Sequence, residues 1–230
     1  MLANHVLFLD GEALVIDKPA GLPVDRPRDG SLSLENHLDG LTFAFKRWPV
    51  PVHRLDRDTS GCLLLSRNPK AHARLQQAFE QGLVRKRYLA VLEGVVEGES
   101  GLIDLALAKV STEETGWRMV GDPLGAKGSK ASRTAWRVLS IKDGRSFVEF
   151  IPETGRTHQI RVHAAEALGA AVVGDPIYGN GTKANGAATL LHAAELTVPR
   201  VGKEPIIAKA RLPERFVAAG FTEADAAPQE

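Results

Sequence analysis

Residues 52–66 read VHRLDRDTSGCLLLS. Charged and small polar residues crowd the first part, from His53 to Gly61, and Cys62–Leu65 is an unbroken apolar run. The stretch reads as a polar turn feeding a buried strand, a way of holding a reactive side chain rigidly at the rim of a core. Asp56, in the middle of the turn, is the candidate nucleophile or acid/base. Asp58 is read as structural, bonding the amides of Thr59 or Ser60. Cys62 is read as a small buried hydrophobe. It is the single cysteine of the chain, so an internal disulfide is excluded, which fits a reducing cytoplasm.

Upstream, VLFL (6–9) and ALVI (13–16) flank Asp10-Gly11, a hairpin signal. DKPAGLPV (17–24) follows as a loop of fixed path, with Lys18 at its start as either a phosphate contact or loop charge. Ser33 is positioned to cap a short helix over LENHLDGL. Downstream, Asn68 and Pro69 open a helix that carries Ala71, Leu75, Ala78 and Phe79 on one side and stops at Gly82. VRKRYLAVLEG (84–94) reads as a strand, with Tyr88 on the face of Lys86, Ala90 and Leu92 and Arg85 and Arg87 on the other.

Residues 93–103 and 111–130 read as connections, the second long, with a strand in GLIDLALAK between them. Two strands flank Lys142-Asp143-Gly144 as another hairpin. They lead into ETGRTHQIRVHAAEALG, a turn followed by a helix. Thr157 is its expected N-cap, and Ile160, Ala164, Ala167 and Leu168 form its apolar side. Arg156 then stands just outside a helix N-terminus, a ready anion site. TLLHAAELTVPR gives a further strand or short helix, and the tail 219–230 is expected to fray. The pattern predicts an α+β fold: a mixed, largely antiparallel sheet with peripheral helices, in one catalytic domain over residues 1–218.

The chain has 230 residues, 43% hydrophobic and 25% charged, with a formal net charge of +1. These values suit an average globular protein and neither require nor forbid a nucleic-acid partner, since binding needs a local basic surface. Arg85-Lys86-Arg87 is one basic run, and Lys127, Lys130, Arg133 and Arg137 form a looser one. No apolar run is long enough to span a membrane, and the N-terminus lacks the pattern of a secretory signal. His53, His158, His163 and His192 lack cysteine neighbours and metal-site spacing, so hydrogen-bonding roles are expected and no metal. Gly-x-Ser-x-Gly is missing, which removes a nucleophile elbow. The spacing of Asp56 and Asp58 does not define a glycosidase pair. Trp48, Trp117 and Trp136 are expected to be core or packing aromatics rather than base platforms.

Asp56, Tyr88, Arg156 and Lys18 stand above this background. Folded together they supply a carboxylate, an arginine partner and an aromatic platform, a set suited to a planar base attached to a sugar. HRLDRDTSGCLLLS and ETGRTHQIRVHAAEALGAAVVGDPIYG resemble the two signature blocks of the RluA-type RNA pseudouridine synthases. VIDKPAGLPV and RKRYLAVLEG are similar to that family's first and middle motifs, and the four blocks together span most of residues 12–198.

The resemblance implies a mixed sheet with a central catalytic cleft, and isomerisation of uridine to pseudouridine in RNA without cofactor or metal. It makes Asp56 the catalytic residue, acting through either a covalent adduct or a glycal. It makes Tyr88 the ring packed on the target base and Arg156 the partner of Asp56. It makes Arg54 the side chain that enters the RNA where the base has flipped out. Arg85, Arg87, Thr157, His158 and Lys18 are the expected RNA contacts. An S4-type RNA-binding domain, carried by many members, is expected to be absent, because the motifs begin by residue 12. Ribosomal or transfer RNA is the expected partner of a cytoplasmic monomer, with no protein partner and no membrane. The competing class is a non-catalytic RNA-binding module that keeps the fold but would lose the aspartate or its arginine.

Overall fold

The computed structural model describes residues 2–112, 116–125, 128–181 and 189–227. Twelve strands occur among them: β1 (Val6–Leu9), β2 (Ala13–Lys18), β3 (Val50–Pro51), β4 (Ser60–Ser66), β5 (Arg85–Glu93), β6 (Ser100–Asp104), β7 (Ala106–Thr112), β8 (Gly116–Asp122), β9 (Arg133–Lys142), β10 (Arg145–Pro152), β11 (Leu191–Arg200) and β12 (Lys203–Lys209). The α-helices are α1 (Pro69–Glu80), α2 (Gln159–Val162), α3 (Glu214–Ala218) and α4 (Glu223–Ala226). Where the sequence suggests one domain over 1–218, the chain gathers into two compact units. One comprises Met1–Lys86 and His192–Arg211, the other Arg87–Leu191 and Leu212–Glu230.

In the first unit the strand order is β1-β2-β4-β11-β12, with β3 added to β4. Asp10 makes the first turn: its carboxylate accepts the N–H groups of Glu12 and Ala13, both at 2.8 Å. Every residue of β4 is buried. Such a strand needs neighbours on both edges and cover on both faces. β2 lies antiparallel on one edge; β11 lies parallel on the other, with His192 opposite Ser60 and Ala193 opposite Gly61. Gly61 sits at φ +106, and a Cβ there would meet the Ala193 carbonyl oxygen at 2.2 Å. Only a glycine permits that approach. α1 forms as its signals predict: Asn68 Oδ1 accepts the Ala71 N–H at 2.8 Å and Pro69 opens the helix. Its Ala71, Leu75 and Ala78 join Val15, Cys62, Leu64, Leu196 and Ile206 in one core cluster.

In the second unit the order is β5-β10-β9-β6, with β7 and β8 as a separate antiparallel pair. Asp143 (φ 50) and Gly144 (φ 70) form the tight turn between β9 and β10, as the Asp-Gly signal requires. Ala90, Leu92, Val148, Phe150 and Ile160 build the core, with Tyr88 partly buried against it. Antiparallel pairing in both units and the parallel β4–β11 pair make the mixed, largely antiparallel α+β fold.

Several expectations are corrected. GLIDLALAK is two strands, broken at Leu105. The stretch 111–130 is no plain connection: Gly116–Asp122 pairs with β7 along its whole length. Lys127 lies outside the described residues. LENHLDGL forms two short 3-10 turns, Leu34–His37 and Asp39–Leu41, in place of one helix. The tail does not fray over 221–227, since Phe221 is fully buried and packs on Phe147; residues 228–230 lie outside the described part. Trp48 and Trp117 are half exposed, not core.

Candidate active site

In the first unit the polar stretch forms a turn closed by the Thr59 N–H on the Asp56 carbonyl at 3.2 Å. Asp56 is half-buried, one turn before β4. The carbonyl of the next residue, Arg57, is tied down twice: it accepts the Gly21 N–H at 2.9 Å and the Lys18 amine at 3.0 Å. The Arg57 side chain returns a bond from Nε to the Gly21 carbonyl at 3.3 Å. Lys18 is fully buried, and its Nζ also donates to the carbonyls of Pro19 and Leu22, both at 2.8 Å. The expectation that Lys18 meets RNA phosphate is therefore corrected. Its ammonium gathers backbone carbonyls that Pro19 and Pro23 prevent from joining regular structure, and so locks the loop 19–24 to the Asp56 turn.

Arg54 is exposed and paired with Asp25 at 2.6 Å; their side chains are 65% and 61% accessible. A pair so open contributes little stability, so Arg54 can exchange its partner at small cost. Arg26, Arg28, Arg57 and Arg85 are exposed in the same unit. Asp58 sits 3.9 Å from Arg57 Nε.

His53 supports the turn from behind. Its Nε2 accepts the Leu64 N–H at 3.0 Å, and its ring stacks on Phe79 at 4.8 Å. Burial, reinforced by Lys86, pushes its pKa down to about 4. An unfolded chain takes up this proton near 6.5, so below that pH the unfolded state holds more protons than the folded one. The contribution is complete above pH 6.5 and is lost as the pH falls towards 4. Urea unfolding at stepped pH is expected to show stability falling over this window, by up to about 3 kcal/mol. The fall should shrink in His53→Gln, and an equal fall in both proteins rules the assignment out. Burial pushes the Cys62 thiol up to about 12, in line with an inert core residue.

In the second unit Tyr88 lies on β5, half-buried. Arg87, an expected RNA contact, is engaged within the protein instead: its Nε pairs with Glu149 at 2.5 Å and a terminal nitrogen donates to the Ala226 carbonyl. Arg156 is exposed, its Nε donating to the Ala131 carbonyl at 3.2 Å. Thr157 is exposed but does not cap the helix. His158 takes that position, at φ 55 in the left-handed region. The helix is one turn of α-type, Gln159–Val162, continuing as a wider π-type turn over His163–Ala167. An N-terminus this short makes no anion site. Gln159 shapes the turn instead, its Oε1 accepting the Arg156 N–H at 2.9 Å and the Thr154 hydroxyl at 2.8 Å.

The same block holds two buried polar groups that helical periodicity hides. Arg161 pairs with Asp175 in a two-pronged bridge of 2.6 and 2.8 Å, both side chains buried. Burial would raise the Asp175 carboxyl, but the guanidinium and the N–H groups of Ile177 and Tyr178 outweigh it and hold it below its usual range. The bridge joins the two ends of the signature block. His163 is fully buried between Thr134 Oγ1 (2.8 Å) and the Leu105 carbonyl (3.0 Å). Among the described residues no cluster of His, Cys, Asp or Glu is arranged to hold a metal ion, and no helix is long and apolar enough to cross a membrane.

Asp56, Arg54, Lys18 and Arg85 thus belong to the first unit, and Tyr88, Arg87, Arg156, Thr157 and His158 to the second.

Comparison with known proteins agrees with these motifs. Residues 12–166 match the family model described as RNA pseudouridylate synthase. An uncharacterized RNA pseudouridine synthase of Zymomonas mobilis is 58% identical over 221 residues, covering 96% of this chain and 99% of that one. The ribosomal large subunit pseudouridine synthase D of the same organism is 34% identical, over 84% of this chain and 63% of its own length. The solved structure of human RNA pseudouridylate synthase domain containing 1 superposes with a TM-score of 0.72 at 30% identity, covering 89% of this chain and 82% of that one. Human domain containing 4 shares the fold at a TM-score of 0.77 and 24% identity, over 94% and 91%. This chain belongs to the RNA pseudouridylate synthase family, the isomerases that act on uridine in RNA.

Proposed function

We propose that the chain isomerises uridine in large-subunit ribosomal RNA, as a cytoplasmic monomer, with Asp56 as the catalytic carboxylate. The reaction breaks N1–C1′, turns the uracil and forms C5–C1′, with loss of the C5 proton. A carboxylate serves it either by attacking C1′ or by removing a sugar proton. The observation that carries the reading is the immobilised Asp56 turn. Asp56 sits on a turn whose following carbonyl is bonded by Lys18 and Gly21, while Arg54 and Arg57 on either side remain exposed. A carboxylate carried on an immobilised turn and flanked by exposed guanidinium groups suits a reaction on a nucleotide whose phosphates must be held.

Extracting the target base costs about a few kcal/mol. Tyr88 as a ring against the base and Arg54 in the vacated stack would offset this, each by about 1–3 kcal/mol. Arg156 is assigned as the counter-charge of Asp56, its planar fork matching a carboxylate. Arg85, Thr157 and His158 remain candidate RNA contacts. The choice of ribosomal RNA rests on the names of relatives such as the synthase D of Zymomonas mobilis.

The test is pseudouridine mapping of total RNA from a strain lacking the gene, against the same strain complemented. Loss of a modification from large-subunit RNA, restored by the wild type, is expected. A loss confined to transfer RNA overturns the substrate class, and an unchanged map overturns the activity.

A further inference from the structure

Tryptophan is mostly buried in folded proteins, yet Trp117 on β8 is 48% exposed. Its indole is nonetheless rigidly backed. It stacks on the His158 imidazole, with ring centroids 5.3 Å apart and planes 27° from parallel. The His158 Nδ1 lies 2.9 Å from the Tyr178 hydroxyl, and that hydroxyl accepts the Met119 N–H at 3.1 Å. Met119 and Trp117 project from the same face of β8. Met119 packs with Leu107, Val162 and Tyr178, which fixes the hairpin against the body of the unit. The left-handed backbone at His158 is uncommon for a residue with a side chain, and such outliers gather at functional positions.

One cation borders the ring. The Lys109 ammonium lies 5.0 Å from the indole centroid, and both Lys109 and the adjacent Arg118 are exposed. A half-exposed aromatic face, held flat from behind and bordered by a flexible cation, is how proteins engage an unstacked base and its backbone.

We propose that Trp117 stacks on an unpaired nucleobase of the RNA near the target uridine, with Lys109 meeting a flanking phosphate. This rests on the reading of the chain as an RNA isomerase. His158 is then a positioning residue that carries the indole. Because the stacked base is not the one that reacts, the contact acts on substrate binding and hardly on the chemical step.

The experiment uses the full chain and in vitro-transcribed large-subunit ribosomal RNA. In a Trp48→Phe/Trp136→Phe protein, Trp117 is the one indole left, and stacking on a base quenches its fluorescence. Saturable quenching is expected, relieved by high salt. In the otherwise wild-type chain, Trp117→Ala is expected to raise KM for pseudouridine formation about 10-fold or more. kcat should change less than about 3-fold, and Trp117→Phe should restore most of the loss. Absence of quenching, or a KM unmoved in Trp117→Ala while the wild type is active, overturns the proposal. If the wild type forms no pseudouridine but the indole is quenched, the activity reading fails and the stacking site stands. Should Trp117→Ala not fold, the quenching measurement decides alone.

Discussion

Asp56→Asn is expected to abolish pseudouridine formation while leaving a folded protein that binds RNA. The turn around Asp56 is closed by its backbone carbonyl and pinned through the Arg57 carbonyl, so an isosteric amide leaves those bonds in place. What it removes is the negative charge, and with it nucleophilicity and basicity together. Loss of a nucleophile from a preorganised site costs on the order of 10⁴-fold or more in kcat. The measurement is single-turnover release of tritium from RNA labelled at uridine C5, with RNA affinity and thermal unfolding followed on the same protein. RNA affinity within about 5-fold of wild type would place the defect in the chemical step. Activity within 10-fold of wild type would remove Asp56 from the mechanism.

Gly61→Ala is expected to destabilise the first unit severely. At φ +106 a side chain is strained in any surroundings, at about 1–2 kcal/mol. Here the new Cβ would also sit 2.2 Å from the Ala193 oxygen, so β4 and β11 must part. Parting them breaks the buried 2.8 Å bond between Ser60 Oγ and His192 Nδ1. A total on the order of 4 kcal/mol follows, in the range reserved for such steric and polar losses in a core. Urea unfolding of the variant checks it, and a midpoint matching the wild type would show that the strands yield freely. Adding a methyl at Gly82 is the control: its φ is also positive, +69, but nothing lies within 4 Å. Only the backbone strain should then be felt.

Features written into short stretches of sequence were legible. The turn-strand at 52–66, the Asn68-Pro69 start of α1 and the Asp143-Gly144 hairpin all depend on residues within a few positions of one another. What escaped depends on distant partners. Lys18 looks like a loop charge until Arg57, Pro19 and Leu22 are brought round it. Arg161 sits in a helical pattern where a basic residue suggests solvent, and only Asp175, 14 positions on, shows it to be buried. The β7–β8 pair is rich in small and polar residues because much of its surface is exposed, so its alternation is weak. β12, KEPIIAK, has the charged and proline-bearing composition of an edge strand. Arg87 and Arg85 are neighbours in one basic run, yet Glu149 takes the first and leaves the second exposed.

The buried ammonium of Lys18 divides labour between enzyme and substrate. Three carbonyls from two loops converge on one nitrogen, so neither loop can swing outward without stranding a charge in the protein interior. The turn that carries Asp56 is thereby held stationary. On the proposed role of Asp56, a uridine that is to meet it must travel the whole distance itself, and an RNA whose uridine is already poorly stacked has the shorter journey.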